Sequence, residues 1–332
     1  MSKRVGVGLL LFFTLGSVGA GGDLMPSIKV LPWNAHPAAV CLTFDGGDSS
    51  QLDVALPELN SRGMKATFFL IGNQTDRKDD WRKILIYGHE IGSNSLDHRH
   101  IADLITPRDL DSQVVGAQNV LQKEFGVSLY SFAYPYGEVT PRLRTLVGEN
   151  HLLARGGDDL SQPDLKIGVE PDWLNLPSRK MDPNLSWATY QSWIDKDLKD
   201  GAWLIFKIPS LEEAREGYPS VSRHMFTQLL DYLQSKDVWV GTVLQVGSYF
   251  LGQNIFEKAE RKTIQGKVRY QWKVPSTFPS GVVLQFTIAT HPSPVGVYFP
   301  VQKGKKLKAD GNGIYTLDFS KGELELLLLP KS

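Results

Sequence analysis

The chain has 332 residues, of which 42% are hydrophobic and 22% are charged, so it is long enough to bury a core and its composition excludes a disordered chain. It contains 36 basic and 36 acidic residues, and this balance, without a long run of one sign, does not favour nucleic acid as a partner. Cys41 is the only cysteine, which excludes an intrachain disulfide framework.

The first 20 residues have the three parts of a secretory signal. "MSKR" is positively charged, "VGVGLLLFFTLGSVGA" is apolar, and Val18, Gly19 and Ala20 form a small-residue cleavage pattern. We predict a signal peptide over 1–20, an N-terminal linker over 21–36, and a secreted, periplasmic or cell-surface location. The alternative is an uncleaved anchor helix, because the run is near the lower length limit for spanning a bilayer. Only in that case do we expect membrane contact.

Strands and helices are predicted to alternate from residue 37 to residue 250. The predicted strands are 38–44, 65–72, 89–95, 128–138, 201–209 and 238–247. The predicted helices are 51–63, 79–88, 106–126, 140–150 and 222–236. This alternation indicates parallel βαβ units, in a doubly wound sheet or a barrel, and the lack of a GxGxxG-type phosphate loop weakens the nucleotide-binding version.

The sequence pattern changes beyond residue 252, where short alternating apolar runs are separated by Gly, Pro, Ser and Asn. These turn signals recur at the spacing of a sandwich, so we predict a small antiparallel β-sandwich-like domain over 255–331.

Polar loops follow the predicted parallel strands. They are Asp45–Asp48, Ser93–His100, Tyr134–Glu138, Asp172–Arg179 and Lys207–Glu213. Functional side chains gather at the carboxyl ends of such strands. Carboxylates and histidines in neighbouring loops indicate metal-assisted hydrolysis.

The wording and order of the motifs resemble the polysaccharide deacetylases, the NodB-homology proteins of carbohydrate esterase family 4. The motifs are "LTFDGGDSS", "ATFFLIG", "GHEIGSNSLDH", "FAYPYGE", "GAWLIFKIP" and "VWVGTV". The resemblance covers about 37–250 and implies a distorted (β/α) barrel there. It also implies a hydrolase of carbon–nitrogen bonds other than peptide bonds, which removes N-acetyl groups from N-acetylhexosamine polymers with a divalent metal.

The first two motifs match the family only in part. The resemblance makes Asp45 the general base, but Gly46 stands where the family has an aspartate that binds the metal. In the second motif, Asn94 replaces one of the two metal-binding histidines and His98 keeps the other.

The later motifs also lack parts. Ala133 occupies the position of the arginine that many members use to orient the base, whereas Tyr136 remains and its backbone N–H would stabilise an oxyanion. The strand ending at Lys207 and Pro209 has no histidine to act as general acid.

A catalytic zinc needs about three protein ligands, so His98 alone is not expected to hold one. We therefore predict no cofactor, and a zinc-type divalent metal only if Asp48, His98 and His100 form a rearranged site. Otherwise Asp48 is a turn or helix-capping residue and His100 a solvated loop residue.

A sugar groove is predicted beside these loops. Trp173 is the candidate sugar platform. The other predicted groove residues are Tyr134, Pro135, Asp172 and Arg179.

Three functions follow as hypotheses. The first is an exported deacetylase-family protein that has lost metal catalysis and binds glycans containing N-acetylhexosamine. The second is an active deacetylase or amide hydrolase with a rearranged site around Asp45 and His98. The third is a partner-binding module that acts through the C-terminal β domain.

Overall fold

A computed structural model describes most of the chain. The described residues are 25–157, 164–212, 220–264, 266–289 and 296–330. The predicted signal peptide lies outside these ranges. No helix within them is long and apolar enough to cross a membrane.

The described residues form nineteen strands and eight α-helices. Strands β1 to β19 are Ser27–Val30, Ala39–Asp45, Thr67–Leu70, Glu90–Ser93, Ser131–Ala133, Leu153–Arg155, Leu165–Lys166, Arg179–Lys180, Ala202–Ile208, Ser210–Leu211, Ser220–Val221, Trp239–Gly241, Glu260–Ile264, Lys267–Gln271, Val283–Ala289, Gly296–Gln302, Lys305–Lys306, Tyr315–Asp318 and Glu323–Pro330. Helices α1 to α8 are Leu56–Ser61, Lys78–Ile86, Pro107–Asp111, Ala117–Phe125, Pro141–Asn150, Trp187–Asp200, Arg223–Gln234 and Val243–Glu257. Single turns of π- or 3₁₀-helix lie at Pro32–Ala35, Gln51–Ala55, Ile101–Asp103, Ser112–Gly116, Pro135–Gly137 and Phe319–Lys321.

The main sheet is a curled, incomplete barrel, which confirms the predicted fold class. Its strand order is β6-β5-β4-β3-β2-β9-β7, with β12 beside β2 and β8 beside β9. The pairs are parallel except for β7 with β9. Strand β2 is apolar along almost its whole length, as expected for a central parallel strand that is buried on both faces.

Helix α8 corrects one sequence prediction. The run 238–247 was predicted to be a strand, but only Trp239–Gly241 is extended. Thr242 then begins a helix, because its side chain accepts a hydrogen bond from the Gln245 N–H while the Gln245 side chain accepts one from the Thr242 N–H. The run looked like a strand because α8 is buried on several sides, so its sequence lacks a polar face.

The C-terminal residues form two antiparallel sheets, as predicted. Their strand orders are β1-β15-β18 and β13-β14-β19-β16-β17, and a shared core that includes Phe256 of α8 lies between them. The first strand of this domain comes from the other end of the chain. Ser27–Val30, within the predicted linker 21–36, pairs antiparallel with β15.

Two buried histidines are held neutral inside the barrel. His89 Nδ1 accepts the Ala66 N–H at 3.1 Å and its Nε2 lies 3.0 Å from Asn60 Oδ1, so the neutral ring satisfies both partners. His151 packs against Phe132, and neither of its ring nitrogens has a hydrogen-bond partner among the described residues. Burial lowers the pKa of each ring to about 4.

These histidines predict acid sensitivity. Because their folded-state pKa lies below the unfolded value near 6.5, stability is complete above pH 6.5 and is lost as the pH falls toward 4. Each accounts for at most about 3 kcal/mol of unfolding free energy across that window. We expect His151→Leu to flatten the pH dependence measured by urea denaturation, with His224→Gln, at an exposed site on α7, as the control. An unchanged slope in His151→Leu would contradict this assignment.

Candidate functional site

A cleft of about 290 Å³ opens at the carboxyl edge of the central strands. Its described lining residues are Asp45, Gly46, Asp48, Ile71, Gln74, Asn94, Asp97, His98, Tyr136 and Ser210. The structure therefore brings together residues from the first, second, third and fifth predicted loops, because parallel strands deliver their carboxyl ends to one edge.

Asp45, the last residue of β2, is held by two cations. Arg155 Nη2 donates to Asp45 Oδ1 at 2.6 Å and to Oδ2 at 2.5 Å, and Lys207 Nζ lies 3.8 Å from Oδ2. The Arg155 side chain is completely buried, and its guanidinium lies 5.4 Å from the centre of the Phe69 ring. The carboxylate is thus an acceptor in a buried ion pair.

Arg155 was missed by the sequence predictions, which placed the base-orienting arginine at the position of Ala133. Strand β6 is only three residues long, and the signal for it is an apolar run that ends in Arg155 before two glycines. In the register of β5 and β6, Ala133 pairs with Arg155. An arginine therefore reaches Asp45 from the adjacent strand.

The environment of Asp45 lowers its basicity. Burial alone would raise the pKa of this carboxyl group, but the charges of Arg155 and Lys207 and the hydrogen bonds from Arg155 outweigh it and lower the pKa. A general base works best with a pKa near the working pH, so this shift opposes proton abstraction by Asp45.

At the two positions where the family has metal ligands, this chain has residues that donate hydrogen bonds to backbone carbonyls. Gly46 has φ of +86° and donates its N–H to the Phe69 carbonyl at 2.8 Å. Asn94 is completely buried, and its Nδ2 donates to the Ala133 carbonyl at 2.9 Å. Its Oδ1 is buried without a hydrogen-bond partner among the described residues.

His98, His100 and Tyr136 form an aromatic cluster at the cleft. The Tyr136 ring stacks on His100 with centroids 3.6 Å apart and lies 4.6 Å from the His98 ring. Burial and the charge of Lys207 lower the pKa of His98, outweighing the opposite effect of Asp45. Tyr136 is 47% exposed, so the cluster presents an aromatic surface to solvent. Its role as oxyanion donor stays a prediction.

The alternative metal ligands have other partners. Asp48 Oδ1 accepts from the Ser50 N–H at 2.9 Å and from the Ser50 hydroxyl at 2.5 Å, in the turn before the first helix. His100 Nδ1 lies 2.9 Å from Glu138 Oε1. Within the described ranges, no three His, Cys, Asp or Glu side chains are grouped so that they could hold a metal ion. These donors do not fit the divalent cation that the resemblance implies.

The predicted groove residues lie outside the cleft lining. Trp173, the predicted sugar platform, packs edge-on against Phe250 at 5.3 Å and donates its Nε1–H to Glu170. Its neighbour Asp172 accepts from Arg144. The sequence pattern placed Trp173 in a loop, and nothing in that pattern indicated that its ring completes the core around α8.

The remaining predicted groove residues also have contacts outside the cleft. The Tyr134 ring is buried and its hydroxyl donates to the Leu174 carbonyl. Pro135 is buried in the turn beside it, and the Arg179 guanidinium lies 5.1 Å from the Trp193 ring centre. Pro209 follows β9 directly before Ser210, which does line the cleft.

Comparisons with known proteins match the barrel part of the chain to polysaccharide deacetylases. Residues 34–152 match the family model of polysaccharide deacetylases. A peptidoglycan-N-acetylglucosamine deacetylase of Bacillus cereus is 28% identical over 131 residues, which are 39% of this chain and 46% of that protein. A gellan lyase of a Bacillus species is 25% identical over 223 residues, 61% of this chain but 9% of that protein. The chain thus spans less than half of either relative.

The structural comparison concerns the fold alone. The crystal structure of a provisionally assigned polysaccharide deacetylase from Mycobacterium smegmatis matches with a TM-score of 0.51 at 16% identity, covering 70% of this chain and 96% of that one. The match of residues 34–152 to the family model, together with the deacetylase relatives, shows that the barrel part of the chain contains a polysaccharide deacetylase domain.

Proposed function

We propose that this is an exported member of the family that binds N-acetylated polysaccharide in the Asp45 cleft and does not carry out metal-dependent N-deacetylation. The observation that supports this proposal is the state of Asp45, whose carboxylate is held by Arg155 and lies near Lys207. The charge of Arg155 lowers the pKa of Asp45 and weakens it as a base, and since an arginine can also orient a base, the missing metal donors decide between the two roles.

The donor set supports the same conclusion. A metal-bound water in a hydrolase needs a cation fixed by about three side chains, and Gly46 has no side chain to offer. The buried Asn94 amide is committed through its Nδ2 to the backbone of the neighbouring strand. Of the family's ligand pattern, His98 remains.

The cleft retains the chemistry that suits a glycan. Hydroxyl and amide groups of a sugar need many hydrogen-bonding partners and an aromatic surface for the ring. Asp48, Gln74, Asp97 and Ser210 supply polar groups, and Tyr136 supplies the exposed ring. The Bacillus cereus relative is a deacetylase of peptidoglycan N-acetylglucosamine, which supports N-acetylhexosamine as the ligand class. The apolar stretch after "MSKR" supports export to such a polymer.

The first test measures binding and turnover together. We expect the protein to bind N-acetylglucosamine oligomers without releasing acetate, and Tyr136→Ala to weaken binding about tenfold because it removes the exposed ring. Tyr87→Ala is the matched control, since Tyr87 is also exposed, at 51%, but does not line the cleft. Calorimetry and an acetate assay check these outcomes. Stoichiometric zinc together with acetate release that Asp45→Asn abolishes would refute the proposal.

The second test restores the missing ligands. Gly46→Asp with Asn94→His should raise zinc affinity above that of either single variant, because the cleft beside Gly46 is open apart from the Ile71 side chain, 3.8 Å from an added Cβ. Since Gly46 has φ of +86°, the aspartate should cost about 1–2 kcal/mol of stability. Gly46→Ala carries the same backbone strain without a ligand and is the control for calorimetry and urea denaturation. Equal zinc affinity in the double variant and in Gly46→Ala would show that these positions do not face one site.

The third test concerns the anchor itself. We expect Arg155→Met to lower the unfolding free energy by about 3–5 kcal/mol at neutral pH, because it leaves the Asp45 charge without its main partner in a buried site. Adding Asp45→Asn should recover part of that loss. Arg144→Met is the control, because its pair with Asp172 is exposed on both sides and should contribute no more than about 1 kcal/mol. Equal losses in the two arginine variants by urea denaturation would contradict the anchoring role.

A further inference from the structure

The outer face of the five-stranded C-terminal sheet carries an exposed apolar patch. Val297 is 62% exposed, Ile264 58% and Leu329 47%. Phe299 and Leu327 complete the patch and are partly buried. In the sheet register Val297 pairs with Leu329, and Phe299 with Leu327, so these side chains are neighbours.

The opposite faces of the same strands are packed in the core of the domain. Leu324 and Leu326 of β19 alternate with the outward residues and are completely buried in the core between the two sheets. The patch is therefore the second apolar face of a strand whose first face already builds the domain. Contiguous exposed apolar surface of this kind marks an interaction site more often than it marks chance exposure.

Lysines border the patch. Lys267 pairs with Ile264 in the register, and Lys306 Nζ lies 4.5 Å from the centre of the Phe299 ring. Residues 260–330 contain ten Lys and Arg against five Asp and Glu, although the whole chain is neutral. On this face Glu323 and Glu325 lie at the other end of β19, where Glu325 is opposite Arg269 in the register and Glu323 forms an ion pair with Arg269.

The N-terminal strand enters this domain on the core side of the sheet that carries the patch. The Tyr298 hydroxyl lies 3.8 Å from Met25 Sδ, and because Tyr298 alternates with Val297 and Phe299 along β16, this contact lies on the face opposite the patch. The apolar run predicted to be a signal or anchor ends at residue 20, five peptide steps before Met25. Fully extended, those steps span about 17 Å. A membrane-inserted N-terminal segment would therefore hold the β domain at the bilayer surface.

We propose that the apolar patch docks on the surface of a bilayer containing anionic lipid, with Val297, Ile264 and Leu329 among the headgroups. Apolar side chains at the headgroup boundary with lysines around them are the combination by which peripheral proteins bind anionic membranes. The charge of the domain and the lysines at the patch favour a bilayer over a second copy of the chain, because two copies would bring like charges together. This docking does not depend on the Asp45 cleft.

The experiment places a fluorophore on the patch of the full chain. Cys41 is buried, so Val297→Cys offers a single reactive thiol for an environment-sensitive dye. We expect its emission to shift to the blue with vesicles of phosphatidylcholine and phosphatidylglycerol, less with phosphatidylcholine alone, and to return when salt is added. The same dye at Ile105→Cys, an exposed barrel position, should not shift. Reversal by salt separates this docking from tethering by an inserted N-terminal segment, which salt does not release.

Charge variants test the lysines. Lys267→Gln and Lys306→Gln should each weaken vesicle binding of the labelled protein about fivefold, whereas Lys123→Gln, on the barrel helix α4, should not. An unshifted dye at position 297 on protein that sediments with the vesicles would overturn the proposal, since only the N-terminal segment would then bind. A blue shift that grows with protein concentration without vesicles would also overturn it, because a second copy would then cover the patch.

Discussion

The ion pair between Arg155 and Asp45 joins two strands that the sheet order keeps apart. Strands β6 and β2 are separated by β5, β4 and β3, so a flat sheet would hold them about 19 Å apart. The bidentate contact across that gap requires a curled sheet, and it crosses the interior beside Phe69. Breaking it would leave a completely buried guanidinium without its carboxylate, which is far more costly than losing an exposed pair. The shape of the cleft therefore depends on this pair.

The amino ends of the parallel strands are fixed by a different carboxylate. Glu90, at the start of β4, accepts hydrogen bonds from the Thr67 and Ser131 hydroxyls and from the Leu244 N–H in the first turn of α8. Burial raises the pKa of Glu90, and the helix N-terminus and hydroxyls oppose that effect. This network fixes α8, which carries Phe256 into the core of the β domain. The amino ends of the barrel strands thus support the C-terminal domain, while their carboxyl ends hold the cleft.

Local sequence patterns predicted those strands and domains whose signals lie within short stretches of the chain. The apolar runs of β2, β3 and β9 and the motif order sufficed for an incomplete barrel, and recurring turn residues sufficed for the antiparallel domain. Helix α8 was mistaken for a strand because burial removed its polar face. The pairing of β1 with β15 and the reach of Arg155 to Asp45 join residues far apart in sequence, and no local pattern reports them. Trp173 shows the converse, since an aromatic residue in a loop can equally complete a core.

Three of the nine described non-glycine residues with positive φ lie at or beside the cleft. Ser95, His98 and Tyr136 are non-glycine residues with φ of 68°, 56° and 57°, a conformation that costs free energy at each position. Asn94 adds a buried carbonyl oxygen without a hydrogen-bond partner among the described residues, a further cost. A loop freed from function would relax such costs through single substitutions, because most stabilising changes are easy to find. Strain of this kind beside the buried Asp45–Arg155 pair favours a cleft shaped for binding over one that only fills space.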